Sequence, residues 1–254
     1  MEKAVVGMGA AQATELAAGV SPRFKARVAG VCQLLEGTAS AGGQVVILGG
    51  FVVAGDAAAT AANILAREPL FWLGFALSLL GVAFHLAWAF LFYELFRPVS
   101  RTVAGLAAFV ILVGCALQAV AALLYLAPLL VLRGGSAVSA FSAPQAQAFA
   151  LLFLDLNARA YDIYLVFFGL WCVLIGYLIV RSTFMPRIIG VLLALDGLGW
   201  VTYLYPPLAT AIYPVIAVVA ALGEFPLLLW LLVVGVNEQR WRAQAGPAGA
   251  SIDA

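Results

Sequence analysis

The sequence predicts an all-α, polytopic integral membrane protein, and three observations carry the prediction. Hydrophobic residues make up 65% of the 254 residues, charged residues 10%, and the mean hydropathy is +1.08. An ordinary soluble domain is roughly 45 to 50% apolar. Six apolar runs each exceed the ~18 residues that suffice to cross a bilayer as a helix. The basic residues between these runs divide ten against three between the two sides, a bias of the positive-inside kind.

Taken in order, residues 1–20 hold Lys3 and then a Gly and Ala stretch interrupted by Glu15, too weakly apolar for the core of a signal peptide. They are expected to form a cytosolic tail. Ser21-Pro22 supplies an N-cap and a helix-compatible first position, and Arg23, Lys25 and Arg27 precede the first span. The six spans are placed at 28–54, 70–95, 102–131, 160–180, 188–207 and 210–236. Between the first two, residues 56–67 are good helix formers with Asp56 as N-cap and Pro69 as a stop or restart, which predicts a short outer interfacial helix. Residues 144–159 read as a helix able to run on into the fourth span as one rod, after the flexible stretch 134–143. The Gly-, Ala- and Pro-rich residues 243–254 are expected to be a disordered tail. Residues 21–242 then form a single membrane domain.

Loop charge sets the orientation. Lys3, Arg23, Lys25, Arg27, Arg97, Arg101, Arg181, Arg187, Arg240 and Arg242 fall on one side, and Arg67, Arg133 and Arg159 on the other. This assigns both termini to the cytosol and the protein to the inner (cytoplasmic) membrane.

Several function classes are disfavoured. A net charge of +1 and the lack of a basic run with interleaved aromatics argue against nucleic acid as a partner. Cys32, Cys115 and Cys172 lie far apart inside apolar runs and read as small core residues. There is no Gly-x-Ser-x-Gly elbow, His-Glu-x-x-His, P-loop or dinucleotide fingerprint. His85 is the sole histidine, which excludes a multi-histidine metal centre within one chain, and no metal or cofactor is expected.

Several motifs together resemble the bacterial DUF4386 family: residues 55–64 (Gly55-Asp-Ala-Ala-Ala-Thr-Ala-Ala-Asn-Ile64), the Tyr93-x-x-x-Arg97-Pro98 turn, Phe167-Phe168-Gly169, Gly176-Tyr177, Arg181-Ser182, Pro186-Arg187 with Gly190-Val191-Leu192, and Glu224 with Leu229-Trp230-Leu231. The resemblance spans roughly residues 21–242. It implies an integral membrane protein and brings no assigned activity.

Candidate functional residues stand out because a charge at the centre of a membrane helix costs about 2.5 to 3.5 kcal/mol on insertion scales. Glu36, His85, Gln118, Asp196 and Glu224 fall near the middle of their apolar runs. Glu36 is followed by Gly37, Thr38, Ser40, Gly42 and Gly43, which permit close helix approach and offer hydroxyl donors. Gln118 suits a bond across helices, worth about 0.6 kcal/mol on average. Asp196 lies beside Gly197 and Gly199, which thin the helix enough to open a small cavity, and Glu224 precedes Pro226, a kink-forming position. Asp196, Glu224 and His85 are the three hardest to explain by helix contact alone. On the outer side, Asp56, Thr60, Asn63 and Arg67 line one helix face, and Arg159 is spaced to reach both Asp155 and Asp162. These seven are read either as a wet helix face with a local ion pair or as the rim of an outward-facing opening.

The leading expectation is a protein with a partly polar intramembrane cavity that binds or transports a small or amphipathic molecule, with proton linkage through His85 as one option. Membrane lipids are the expected surroundings, and a homodimer stays open because the chain is short for an alternating-access carrier. The alternative is a structural or regulatory subunit whose polar layer fixes helix register. A third reading is a membrane-embedded lipid-modifying enzyme or isomerase, which requires an accessible proton-exchanging group.

Overall fold

The structure, a computed structural model, describes residues 20–135 and 140–246, and all regular secondary structure among them is helical. Helix α1 (Pro22–Ser40) starts at a cap in which Ser21 Oγ accepts the Phe24 N–H at 3.1 Å. It runs directly into a π-helical stretch, Ala41–Leu48, and ends at Gly49 and Gly50. The rod thus lies about six residues earlier than the expected 28–54, because the Ser21-Pro22 cap starts the helix ahead of the apolar run.

Helix α2 (Ala57–Ala66) is the expected short helix, capped by Asp56 Oδ1 accepting the Ala59 N–H at 2.9 Å. Next come α3 (Glu68–Phe96) and α4 (Arg101–Arg133), the first with Pro69 in its opening turn and the second capped by Ser100. Helix α5 (Ala143–Arg181) is a single rod of 39 residues, about 58 Å at 1.5 Å per residue. Helix α6 (Arg187–Val201) closes with a 3₁₀ turn at Thr202–Leu204. Prolines early in α7 (Pro206–Ala211) and α8 (Tyr213–Val233) make a short helix across the expected boundary between the spans 188–207 and 210–236, since proline suits a first turn and breaks an interior. Helix α9 (Glu238–Ala245) extends order to Ala245, past the start of the tail expected at 243; residues 247–254 and 1–19 lie outside the described residues.

Among the described residues, five helices are long and apolar enough to cross a membrane: α3, α4, α5, α6 with its 3₁₀ turn, and α8. Helix α1 carries Arg23, Lys25, Arg27 and Glu36, and its most apolar part lies in the π-helical continuation.

The long helices form a ring in chain order: α1 packs on α3, α3 on α4, α4 on α5, α5 on α6, α6 on α8, and α8 back on α1. Glycine sets the closest contacts, as expected where helices associate without a hydrophobic driving force. A Cβ on Gly169 would stand 2.6 Å from the Gly197 carbonyl oxygen, and one on Gly176 2.6 Å from that of Gly190, so α5 and α6 touch backbone to backbone. Gly197 therefore seats a neighbouring helix and does not open the cavity that the sequence suggested there. A Cβ on Gly43 would likewise meet the Gly74 carbonyl oxygen at 2.6 Å, joining α1 to α3.

The ring interior is filled by aromatic and aliphatic side chains, with Trp88, Phe92, Trp171 and Ile175 almost fully buried. A smaller cluster around Phe51, Ile64, Phe71 and Tyr125 lies beneath α2. At one end of the ring Lys25 pairs with Glu94 at 2.9 Å, and Trp241 of α9 donates to the Leu95 carbonyl at 2.8 Å. Arg133 and Glu68 pair at the other end. Helix directions gather nine of the described basic residues at the first end, leaving Arg67, Arg133 and Arg159 for the second.

Candidate functional site

The polar residues near mid-depth separate into an internal relay and a second group on α6 and α8. In the relay, Ser40 Oγ donates to Glu36 Oε1 at 2.9 Å, one helical turn away, and accepts from Gln118 Nε2 at 3.3 Å across to α4. His85 of α3 places Nδ1 3.7 Å from Glu36 Oε1 and 3.3 Å from the Tyr164 hydroxyl of α5. Four helices thus meet at one polar node. His85 has no exposed surface and sits among the rings of Trp88, Tyr164, Phe168 and Trp171, with centroids 5.2 to 5.9 Å away. Its Nε2 has no partner among the described residues.

The second group centres on Asp196 and Glu224. Asp196 is fully buried, and Gly223 lets α8 close over it: a Cβ on Gly223 would lie 2.6 Å from Asp196 Cβ. The Trp200 indole stands beside both Asp196 and Glu224, and Cys172 beside Asp196. None of these reaches standard hydrogen-bond geometry, so both Asp196 carboxyl oxygens and the Trp200 N–H are unpartnered among the described residues. Buried unsatisfied groups of this kind are uncommon and call for a physical explanation.

Glu224 is only partly buried and opens onto a groove of about 570 Å³ between α1 and α8. Gln33, Gly37, Thr38, Trp200 and Phe225 also line it. Its shape follows from two glycines seven residues apart on α1. A Cβ on Gly30 would meet Leu231 Cβ at 3.0 Å, whereas one on Gly37 would meet nothing within 4 Å. The two helices are therefore in tight contact near Gly30 and splay apart by Gly37. This is also the least extensive of the six ring contacts. Exposed Leu34 and Phe225 flank the opening.

Of the five mid-depth residues singled out in the sequence, only Glu224 lines this groove; Glu36, His85, Gln118 and Asp196 lie in the ring behind it. Gln33 was not singled out. It lies one turn before Glu36 on α1, is 6% exposed, and its Oε1 has no partner among the described residues. The helical spacing from Glu36 was the available signal. For Trp200 and Tyr164, a periodic pattern alone does not distinguish an aromatic at the membrane interface from one facing the ring.

The outer residues also divide. Thr60 Oγ1 accepts the Val53 N–H at 2.9 Å, Asn63 Nδ2 donates to the Phe51 carbonyl at 3.2 Å, and the Arg67 guanidinium donates to the Gly50 carbonyl while lying 4.8 Å from the Phe51 ring centroid. With Asp56 as the cap, this stripe ties α2 to the loop before it. Arg159 pairs with Asp162 at 3.0 Å; no corresponding pair to Asp155 occurs among the described residues, so the expected double bridge is a single one. Asp155 and Asp162 line a cavity of about 310 Å³ with Gln44, Asn157 and Tyr161.

Composition, helix length and the ring define a multi-pass helical membrane protein with a polar seam. Within that class, the chain belongs to the family described as Domain of unknown function (DUF4386), whose model matches residues 28–235. No curated protein and no solved structure matches the chain.

Proposed function

We propose that the protein is a six-pass protein of the inner membrane, with both termini in the cytosol, that binds a small or amphipathic molecule in the groove between α1 and α8. The observation that carries this reading is the groove itself. It is a cleft of about 570 Å³, within the ~300 to 1,000 Å³ usual for ligand sites, and is lined mainly by apolar side chains with Glu224 and Gln33 among them. Its place midway along α1 and α8 makes the bilayer interior its natural approach route. Transport extends this reading: Asp196 and Glu36 lie behind the groove at the same depth and add carboxyl groups able to exchange protons.

Native mass spectrometry of gently extracted protein, comparing wild type with Gly37→Phe, tests it. A Cβ at position 37 meets nothing within 4 Å, so a larger side chain there projects into groove space. The wild type is expected to carry a co-purified molecule that the variant lacks, at equal thermal stability. A bare wild type, or equal loading of both, contradicts the reading.

The structural-subunit reading draws on a different observation. Glu36, Ser40, Gln118, His85 and Tyr164 link four helices through polar contacts, the arrangement expected of residues that fix helix register. That account suits the relay and leaves Glu224 and Gln33 unexplained.

A further inference from the structure

We infer that the groove between α1 and α8 takes a lipophilic amine, an ammonium head on an apolar body, with Glu224 as its counter-ion. The inference rests on the reading of the groove as a ligand site and adds the ligand's chemical class. Three observations support it.

The first is the sign of the interior. Glu36, Asp196 and Glu224 lie at mid-depth, while every described Lys and Arg lies toward an end of the ring. His85 is the one basic side chain among them and faces Glu36 and Tyr164, away from the groove lining. An anion entering here finds no cationic partner and faces carboxyl groups at low dielectric, which is unfavourable.

The second is the supply of acceptors. Gln33 is more than nine-tenths buried, lines the groove, and has an Oε1 with no donor among the described residues. Thr38 gives its hydroxyl proton to the Leu34 carbonyl at 2.7 Å, so toward the groove its oxygen can only accept. Glu224 forms no ion pair among the described residues. The Trp200 N–H is a free donor at the site, and it stands beside the Asp196 and Glu224 carboxyl groups. The Gln33 oxygen, the Thr38 oxygen and a carboxylate together suit a ligand with several N–H or C–H donors and a positive charge.

The third is the aromatic wall. Trp200 and Tyr213 line the same groove, and aromatic faces attract ammonium groups most strongly where water is excluded. Leu34, Ala217, Ala221, Phe225 and Leu228 line the remainder and suit an apolar body.

Three probes of equal chain length separate the possibilities: octyltrimethylammonium, octanol and octanoate, titrated calorimetrically into protein in dodecyl maltoside against matched empty micelles. Wild type is expected to bind octyltrimethylammonium at least tenfold more tightly than octanol and to show no binding of octanoate. Glu224→Gln should lose at least tenfold for the ammonium while its octanol titration is unchanged. Glu224→Asp, which keeps the charge, should recover most of the loss and guards against a folding defect in the first variant. Octanol binding as tightly as the ammonium, or an unchanged ammonium affinity in Glu224→Gln, overturns the amine assignment and leaves the groove as a ligand site. Failure of all three probes to bind overturns both readings.

Discussion

Ser40 and Glu224 show how two polar residues at similar depth carry different duties. Ser40 both donates to Glu36 and accepts from Gln118, so removing its hydroxyl leaves two buried groups short of a partner. Ser40→Ala is expected to cost about 1 kcal/mol, within the ~0.6 to 1.7 kcal/mol found for interhelical bonds in membranes. Reversible unfolding in mixed detergent micelles measures it, with ligand loading unchanged. Glu224 makes no bond of standard geometry among the described residues, so Glu224→Gln should leave the unfolding midpoint where it is and alter only ligand binding. A large stability loss in Glu224→Gln would instead place it with the relay. His85 is sealed by four aromatic rings and should resist diethyl pyrocarbonate until the protein unfolds; fast modification of the folded protein would contradict the closed surroundings described for it. A sealed imidazole also weakens the enzyme reading, which needs substrate within reach of a proton-exchanging group.

Between helices, the glycines of this chain have opposite roles that sequence spacing does not separate. At Gly176 a methyl group would press on the Gly190 carbonyl, so Gly176→Ala should force α5 and α6 apart at a cost of about 1 to 3 kcal/mol. Gly37→Ala meets open space and should stabilise α1 by up to about 1 kcal/mol through helix propensity. Chemical denaturation of the two variants side by side distinguishes these outcomes; equal effects would contradict the splayed seam. The legible part of the fold is the part set by local pattern. Caps at Ser21 and Asp56, the long rod through 144–181 and the outer helix all follow from capping chemistry and apolar runs. The hidden part depends on partners distant in sequence. Gly197 reads as a thin spot until Gly169 is brought against it, and Asn63 and Arg67 read as a wet face until the Phe51 and Gly50 carbonyls turn back toward them. Gln33 shares a helix face with Glu36 in the sequence, but its place in the groove appears only when α8 closes the ring beside it.

For the molecule as a whole, the proposed positive-inside topology goes with a seam that opens sideways. The topology predicts that Gln239→Cys on α9 is modified by a membrane-impermeant maleimide only from the cytosolic side, and Gln145→Cys on the outer part of α5 only from the opposite side. The buried native cysteines should stay silent in both experiments. A nitroxide attached to Gly37→Cys in reconstituted bilayers reports whether the groove opens to lipid. Relaxation by molecular oxygen, which concentrates in hydrocarbon, should be strong, and relaxation by a water-soluble nickel chelate should be near zero, the pattern of a site open to lipid at mid-depth. Strong relaxation by the nickel chelate would instead show a water-filled passage, and protection from both reagents would show that α1 and α8 are closed together and that the groove does not exist in the membrane.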